Sequence, residues 1–577
     1  MHKDYPRPQL ARNNWKNLNG IWQFKFDDND TGEQESWYNS SFEDSWQINV
    51  PFTYETKLSG IHEEQFHPVV WYQKNITYKT TDKYVLLHFE GADYITKVWV
   101  NGKCAGTHQG GYSRFTFNIT KFLSEGDNNI TVRVEDSTSC VQPRGKQTWK
   151  KEGFECWYTQ TTGIWKTVWL EEVTKEYIES VKITPDIDNS KVKFEIKLNE
   201  KPASALYLSY SIFLDENLVT SCQLRVNSKY TEFEATVASM EEPWKMALWT
   251  PGNPKLYNAE LILEGSSGKD EVLTYFGMRK ISIEDGKVLL NNKPFYQKLI
   301  LDQGYWEQSG LTAPSTEALI NDISLIQAAG YNGLRKHEKI EDERFLYWCD
   351  KKGLVIWCEM PSQYIFNNDT MECYISQWTK ILKQNYNHPC IITWTAFNES
   401  WGIEKIYTDV KQQKFTESIY YLTKAYDPMR PVILNDGWEH TISDIITLHD
   451  YEESGETFVK RYQDKPGILE NKIPFNHERY AFAKGFRYNG QPVILSEFGG
   501  IALSCNNGWG YGKKENSSQE FMARFENIVE AVKQTKYITG FCYTQLTDVY
   551  HETNGLYTMQ REPKADIEKI RQIHQKI

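Results

Sequence analysis

The sequence lacks the features that mark several protein classes. It has no apolar run near the ~20 residues that a membrane span needs, and its first residues, MHKDYPRPQL, do not resemble a secretory signal. Its formal charge of −12 comes without any basic block, so neither nucleic acid nor a membrane is expected as a partner. The 10 cysteines form no CxxC pairs and no Cys/His ligand spacing. We therefore expect a cytoplasmic protein with reduced thiols, no metal and no other cofactor.

Aromatic residues, in contrast, are abundant: the chain of 577 residues has 20 Trp, 35 Tyr and 27 Phe. Such usage suits β-rich domains, and it suits sugar sites, where the C–H faces of a sugar ring stack on indole. The length exceeds what one hydrophobic core supports, about 250–300 residues. The sequence therefore predicts two to four domains.

Two strand-like segments each end on a glutamate. CIITWTAFNES (390–400) is an apolar run that closes on Asn398 and Glu399, and PVILSEFGG (492–500) places Glu497 before a glycine turn. A buried strand of a parallel sheet is nearly all apolar, and polar residues at the carboxyl ends of barrel strands face the active site. A pair of carboxylates is the equipment for cleaving a glycosidic bond.

The pattern of segments predicts three domains. Residues 1–174 show short alternating strands typical of a jelly-roll β-sandwich, and residues 175–281 supply roughly seven strands, as in an immunoglobulin-like sandwich. Residues 282–577 alternate strands with helices and predict a (β/α)8 TIM barrel that carries the active site. One segment rich in Pro, Gly, Lys and Trp, 139–160, interrupts the first domain. Long ordered loops are often functional, so it is predicted to lean over a neighbour's site.

The order of these domains resembles that of glycoside hydrolase family 2, and local motifs agree. NHPCIITWTAFNES (387–400) resembles the acid/base signature of that family, and ILSEFGG resembles its nucleophile strand. NGLRKHEKIEDERFLYWCDKKGLVIWCE (332–359) resembles its other signature, with an Arg on the second barrel strand. The resemblance covers essentially the whole chain. It implies a retaining exo-β-glycosidase.

Family roles follow residue by residue from these motifs. Glu399 is implied as the general acid and then base, and Glu497 as the nucleophile that forms a glycosyl-enzyme. Asn398 is expected to hydrogen-bond the hydroxyl next to the anomeric carbon. Arg335 is expected to keep Glu497 ionised, and Tyr451 to contact the nucleophile.

The remaining predicted substrate contacts share a place at the carboxyl ends of barrel strands. They are Asp302, Trp306, Trp401, His449, Gln545 and Glu552. His67 and Trp157 of the first domain match regions that reach the pocket mouth in the family. Packing at the domain junction is an equally good interpretation of both.

The departures from the family bear on specificity. Glu338 stands where a family His follows the Arg, and Glu552 and Asn554 replace an Asn-x-Lys pair whose Lys neutralises the carboxylate of glucuronides. Like charges repel, so we expect β-glucuronides to be poor substrates. Gln363 and Ile365 stand where some family β-galactosidases bind magnesium, and they are poor ligands for it.

The sequence thus predicts a glycoside hydrolase that releases one neutral sugar, with a β-galactoside as the first candidate substrate. The alternative is a uronide-specific enzyme, a β-glucuronidase or β-galacturonidase, which would need a further base such as Lys513 or Lys514. A non-catalytic carbohydrate-binding protein is the alternative from another class, but it would be expected to lack one of the two glutamates. A carbohydrate is the expected partner, and homo-oligomerisation stays open.

Overall fold

The computed structural model describes residues 3–42, 45–238, 241–504 and 507–577. Its first domain is a sandwich of antiparallel sheets, as predicted. One sheet has the strand order Trp15–Asn17, Val168–Val173, Tyr84–Phe89 and Phe115–Asn118. The other has the order Trp46–Val50, Gly20–Phe26, Val69–Tyr78, Gly126–Glu135, Ile95–Val100 and Lys103–Gln109. A short pair, Ala92–Asp93 with Gly163–Ile164, flanks them.

The second domain is a smaller sandwich of seven main strands. Three form one sheet: Ile178–Asp186, Lys191–Leu198 and Tyr230–Thr236. Four form the other: Asn217–Val226, Leu206–Leu214, Tyr257–Gly265 and Gly268–Phe276. Side chains alternate between buried and exposed along Lys191–Leu198, which is the pattern of a strand with one face on a core. Short antiparallel pieces then lead into the third domain: Ile281–Glu284, Lys287–Leu290 and Lys293–Pro294.

The third domain is an eight-stranded parallel barrel, which confirms the predicted fold class. Its strands, one to eight, are Gln297–Asp302, Gly333–Lys336, Val355–Glu359, Ile391–Asn398, Val432–Asp436, Ile446–His449, Val493–Gly499 and Ile538–Thr544. The ladder runs continuously from the sixth strand through the seventh, eighth and first to the fifth. Every residue of the fourth and seventh strands is buried, as expected for strands covered on both sides.

Helices surround the barrel. They are Thr316–Ala328, Glu343–Lys352, Asn368–Asn385, Val410–Tyr426, Gly455–Tyr462, Lys465–Leu469, Ser518–Gln534 and Ile567–Gln575. The side chain of Ser315, one residue before the Thr that opens the first helix, accepts the hydrogen bond from Ala318 N. The second helix ends at Gly353, whose φ of 71° is the left-handed conformation that glycine adopts easily.

The segment 139–160 leaves the first domain and lies on the barrel. Gly145 N donates to Ser362 O over 3.0 Å, and Tyr364 OH donates to Gly145 O over 2.6 Å. Trp509 Nε1 donates to Glu155 O. No helix among the described residues is long and apolar enough to cross a membrane. The nine described cysteines are all free, and Cys505 lies outside the described residues.

Candidate active site

Two carboxylates meet at the carboxyl-terminal mouth of the barrel. Glu497 is near the end of the seventh strand, and Glu399 follows the fourth strand directly. Oxygen atoms of the two side chains lie within 4.8 Å of one another. The Glu399 side chain is 21% exposed and that of Glu497 only 6%. Glu399 has φ 51°, which is rare for a residue with a Cβ and typical of strained turns at functional sites.

Arg335, at the second strand, holds Glu497 and its neighbours in place. Its Nη1 lies 2.6 Å from Glu497 Oε1 and 2.7 Å from Asp436 Oδ2, and its Nε lies 2.6 Å from Glu359 Oε2. Its remaining nitrogen, Nη2, donates to Asn398 Oδ1 over 2.7 Å. The side chain is fully buried, so these charge-assisted bonds are sheltered from water.

His449 lies between the two carboxylates and a third acid. Its Nδ1 is 2.8 Å from Glu399 Oε1 and 3.5 Å from Glu497 Oε2, and its Nε2 is 2.9 Å from Asp436 Oδ2. Burial alone would lower the pKa of His449, but the charges of Glu497 and Asp436 raise it to about 10. The ring is therefore an imidazolium, with both nitrogens available as donors.

This environment keeps Glu497, the predicted nucleophile, ionised. Burial would raise the pKa of Glu497, but His449 and then Arg335 outweigh burial and lower the pKa to about 2. Tyr451 OH donates to Glu497 Oε2 over 2.5 Å, which is the contact that the family resemblance implies. Asn398 keeps one amide hydrogen for a ligand, because its Nδ2 meets only Glu338 Oε1, at 3.4 Å, among the described residues.

Glu338, which replaces the family His, is held at the rim by hydroxyl groups. Ser362 Oγ donates to its Oε1 over 2.9 Å, and Tyr364 OH donates to its Oε2 over 3.1 Å. Glu338 thus adds an acidic group to the mouth on the side of the second strand.

A closed ring of hydrogen bonds contains both predicted residues that follow the eighth strand. Tyr158 OH donates to Glu552 Oε2 over 2.5 Å, and Asn554 Nδ2 donates to Glu552 Oε1 over 3.1 Å. Gln545 Nε2 donates to Asn554 Oδ1, and Gln303 Nε2 reaches both Gln545 Oε1 and Tyr158 OH. Burial raises the pKa of Glu552, against the hydrogen bond from Tyr158. The ring fixes the orientation of Glu552 and joins the first domain to the barrel.

Asp302 and Trp306, predicted to contact the sugar, take part in a charged layer at the end of the first strand. Where we predicted sugar contacts, Asp302 makes an ion pair with Lys336 at 2.5 Å and also accepts from Gly304 N. The ring centroid of Trp306 lies 5.0 Å from the Lys339 ammonium. Both side chains are buried, Asp302 at the carboxyl end of the first strand and Trp306 in the loop that follows it.

Trp401 and Trp157 form an aromatic wall at the mouth. Their ring centroids are 5.2 Å apart and nearly perpendicular, and the centroid of Tyr364 lies 5.6 Å from that of Trp401. Of the two first-domain residues with open interpretations, Trp157 therefore reaches the mouth. His67 stays inside its own domain, stacked on Phe26 at 3.8 Å.

Lys146 is a pocket residue that the sequence reasoning missed. It lies in the segment 139–160, only 5% of the residue is exposed, and its charge interacts with Glu338, Glu399 and Glu552. The signal for it was the segment itself, whose position over a neighbour's site we expected without choosing this residue. Lys513, one of the two bases proposed from the sequence, is exposed.

The catalytic cluster could in principle be read as a metal site, since Glu399, His449 and Glu497 each offer a ligand atom within 4.8 Å of the others. The donor set does not fit a metal ion. Both nitrogens of His449 already hydrogen-bond carboxylates, and its pKa of about 10 leaves no free lone pair at neutral pH.

A barrel that presents an acid pair of this kind at its mouth, behind two β-sandwiches, defines a glycoside hydrolase. Residues 15–172 match the sugar binding domain of glycosyl hydrolases family 2, residues 176–279 match its middle domain, and residues 281–577 match its TIM barrel domain. The chain belongs to glycosyl hydrolases family 2, which confirms the resemblance drawn from the motifs.

Relatives and solved structures agree with this membership. The chain is similar to a putative beta-glucuronidase of Formosa agariphila, with 28% identity over 76% of this chain, and it spans about half of that relative (53%). It is 22% identical to a beta-glucuronidase of Paenibacillus borealis over 98% of both chains. Its fold is similar to that of a GH2 beta-galacturonidase from Eisenbergiella tayi bound to galacturonate, with TM-score 0.78, 20% identity and 99% of each chain covered.

Proposed function

We propose that the protein is a retaining exo-β-glycosidase that removes a terminal uronic acid, as a β-glucuronidase or β-galacturonidase does. The carboxylate pair carries the proposal. Its separation, within 4.8 Å, suits the ~5–5.5 Å of retaining enzymes and leaves no room for the water that inverting enzymes hold across ~6.5–9.5 Å.

In the proposed mechanism, the charge state of Glu497 and the exposure of Glu399 decide which step each residue performs. Glu497, ionised by His449 and Arg335, attacks the anomeric carbon and forms the glycosyl-enzyme. Glu399, the more exposed of the two, protonates the leaving oxygen and then deprotonates the water that completes hydrolysis. The free amide hydrogen of Asn398 binds the neighbouring sugar hydroxyl, a contact that strengthens in the transition state.

The substrate assignment follows the relatives rather than our first prediction of a β-galactoside. The named relatives are beta-glucuronidases, and the similar structure is a beta-galacturonidase bound to galacturonate. Our expectation that Glu552 would repel a uronic acid assumed a free carboxylate. In the structure both of its oxygens accept hydrogen bonds, and burial raises its pKa.

Exo action is supported by the wall that the first domain adds. Trp157 and Tyr158 come from the segment 139–160 and close one side of the mouth against Trp401 and Glu552. A site closed on that side holds the terminal sugar of a chain.

The test is a panel of nitrophenyl β-glycosides: glucuronide, galacturonide, glucoside and galactoside. We expect turnover of one uronide, with Glu497→Gln and Glu399→Gln each reduced by several orders of magnitude, and a β-configured first product by NMR. The matched control is Glu404→Gln, an exposed glutamate five residues beyond Glu399. Turnover of only neutral sugars would contradict the uronide assignment and support our first prediction of a neutral substrate. An α-configured first product would exclude the retaining mechanism.

A further inference from the structure

Lys146 is a buried cation that forms no ion pair among the described residues, although its Nζ lies 5.8 Å from the ring centroid of Trp157. Among the described residues, the only hydrogen-bond partner of its Nζ is Cys156 Sγ, at 3.4 Å. No carboxylate oxygen of those residues lies within 4.0 Å of Nζ, although three acidic side chains surround it at longer range. Burial raises the pKa of the Cys156 thiol to about 12, so the thiol stays neutral and does not balance the ammonium. A buried charge in such a setting is costly unless an anion pairs with it.

The surroundings of Lys146 locate its ammonium beside the mouth. Glu338 follows the second strand, Glu399 the fourth and Glu552 the eighth, so they belong to different sides of the barrel. The ring of Trp157, over which the Lys146 Nζ lies, packs against Trp401 at the mouth, so the ammonium lies beside the same opening. Burial would lower the pKa of Lys146, but Cys156 first and then Glu338, Glu399 and Glu552 raise it above its ordinary value, so the side chain is charged.

The backbone fixes this position. Tyr158 N donates to Lys146 O, and the preceding residue, Gly145, is tied to Ser362 and Tyr364 of the barrel. Gly145 has φ 59°, and a Cβ added there would lie 2.3 Å from the carbonyl oxygen of Glu338. The backbone next to Lys146 can lie this close to the barrel only because residue 145 is a glycine. This close contact holds Lys146 at the site.

We propose that the Lys146 ammonium, supplied by the first domain, binds the carboxylate of the terminal uronic acid. The inference rests on the proposed function. A sugar carboxylate would accept charge-assisted hydrogen bonds from Nζ, which has no carboxylate partner among the described residues. It would do so near Glu552 and Asn554, where the barrel's own Lys564 binds Asp548 Oδ1 and Thr553 O. Lys146 is in this sense a specificity-determining residue: it distinguishes an acidic sugar from its neutral counterpart.

The test compares each uronide with the neutral sugar of the same configuration. In Lys146→Met, the ratio of kcat/KM for glucuronide over glucoside, or galacturonide over galactoside, is expected to fall by about 10- to 100-fold. Most of the change is expected in KM, because the carboxylate is bound equally in the ground and transition states. Lys146→Arg, which keeps the cation, is expected to retain most of the ratio. Lys151→Met, an exposed lysine of the same segment, is the matched control.

Two outcomes overturn the inference and are distinguishable. If the wild-type protein hydrolyses no uronide, the proposed function fails and the inference with it. If the wild type hydrolyses a uronide but Lys146→Met loses the uronide and the neutral sugar equally, the function stands and Lys146 only balances the acids of the mouth. Circular dichroism of each variant, and weaker competitive inhibition of Lys146→Met by free uronic acid, separate a lost contact from a misfolded protein.

Discussion

The Nδ1 atom of His449 lies 2.8 Å from Oε1 of Glu399. The same nitrogen is 3.5 Å from Oε2 of Glu497, so one imidazolium serves both members of the carboxylate pair. Two carboxylates this close would ordinarily force one of them to take a proton. The positive ring between them offsets that repulsion and, with Arg335, keeps Glu497 ionised.

Replacing His449 is therefore expected to change the pH dependence. Glu497 must be ionised to attack, and its pKa of about 2 depends on His449 before Arg335. In His449→Asn that pKa rises, so the acidic limb of kcat/KM moves to higher pH, by about 1 unit or more. The measurement is kcat/KM for the preferred nitrophenyl glycoside from about pH 3 to pH 8.

The control is His477→Asn, an exposed histidine whose φ of 47° asparagine tolerates well. Its profile is expected to match that of the wild type. An unshifted acidic limb in His449→Asn would mean that Arg335 and Tyr451 alone keep the nucleophile ionised.

Chelation is expected to leave the activity unchanged. Both nitrogens of His449 are occupied by carboxylates, and the family magnesium positions hold Gln363 and the partly exposed Ile365. None of these groups is a good ligand for a hard cation. The measurement is turnover before and after EDTA, and again after added magnesium. Full loss with EDTA that magnesium restores would contradict the assignment of a metal-free site.

The sequence was sufficient to predict the barrel and the ends of its strands. The fourth and seventh strands are apolar runs closed by polar or glycine residues, and both lie within the segments 390–400 and 492–500 that the sequence marks as strand-like. Because strand ends share one edge of the barrel, Arg335, Glu399 and Glu497 could be expected together from local pattern alone.

What could not be predicted depends on contacts far apart in sequence. The place of Lys146 and Tyr158 requires the first domain to dock on the barrel, and no pattern in either segment specifies that docking. The charge state of Glu552 depends on burial by the same docking. Asp302 was predicted to contact the sugar from the end of the first strand. In the structure it forms an ion pair with Lys336, the last residue of the neighbouring second strand. Local patterns thus predicted the residues proposed to react, but not Lys146, which is proposed to select the sugar.

Breaking the hydrogen-bonded ring is expected to loosen the junction of the two domains. In Tyr158→Phe, the buried Oε2 of Glu552 loses its donor, and Gln303 loses a partner. An unsatisfied buried acceptor costs about 1–3 kcal/mol. We expect a lower midpoint of urea unfolding and a lower kcat/KM, both measured against Tyr421→Phe, an exposed tyrosine with 64% of its surface accessible. Equal midpoints for the two variants would show that the ring adds no stability.

Adding one methyl group at Gly145 is expected to displace the wall of the site. The new Cβ would lie 2.3 Å from Glu338 O, so the segment 139–160 must move, taking Lys146 with it. A displacement of ~1 Å near a substrate costs on the order of 100-fold in rate, and we expect a loss of kcat/KM of that size in Gly145→Ala. The control is Gly60→Ala in the same domain, where φ is also positive, 85°, but no atom lies within 4 Å of the added Cβ. Both variants carry the strain of a left-handed alanine, so only the clash with the barrel separates them. Equal activities would mean that the segment is not held against the barrel at this point, and that Lys146 reaches the mouth without it.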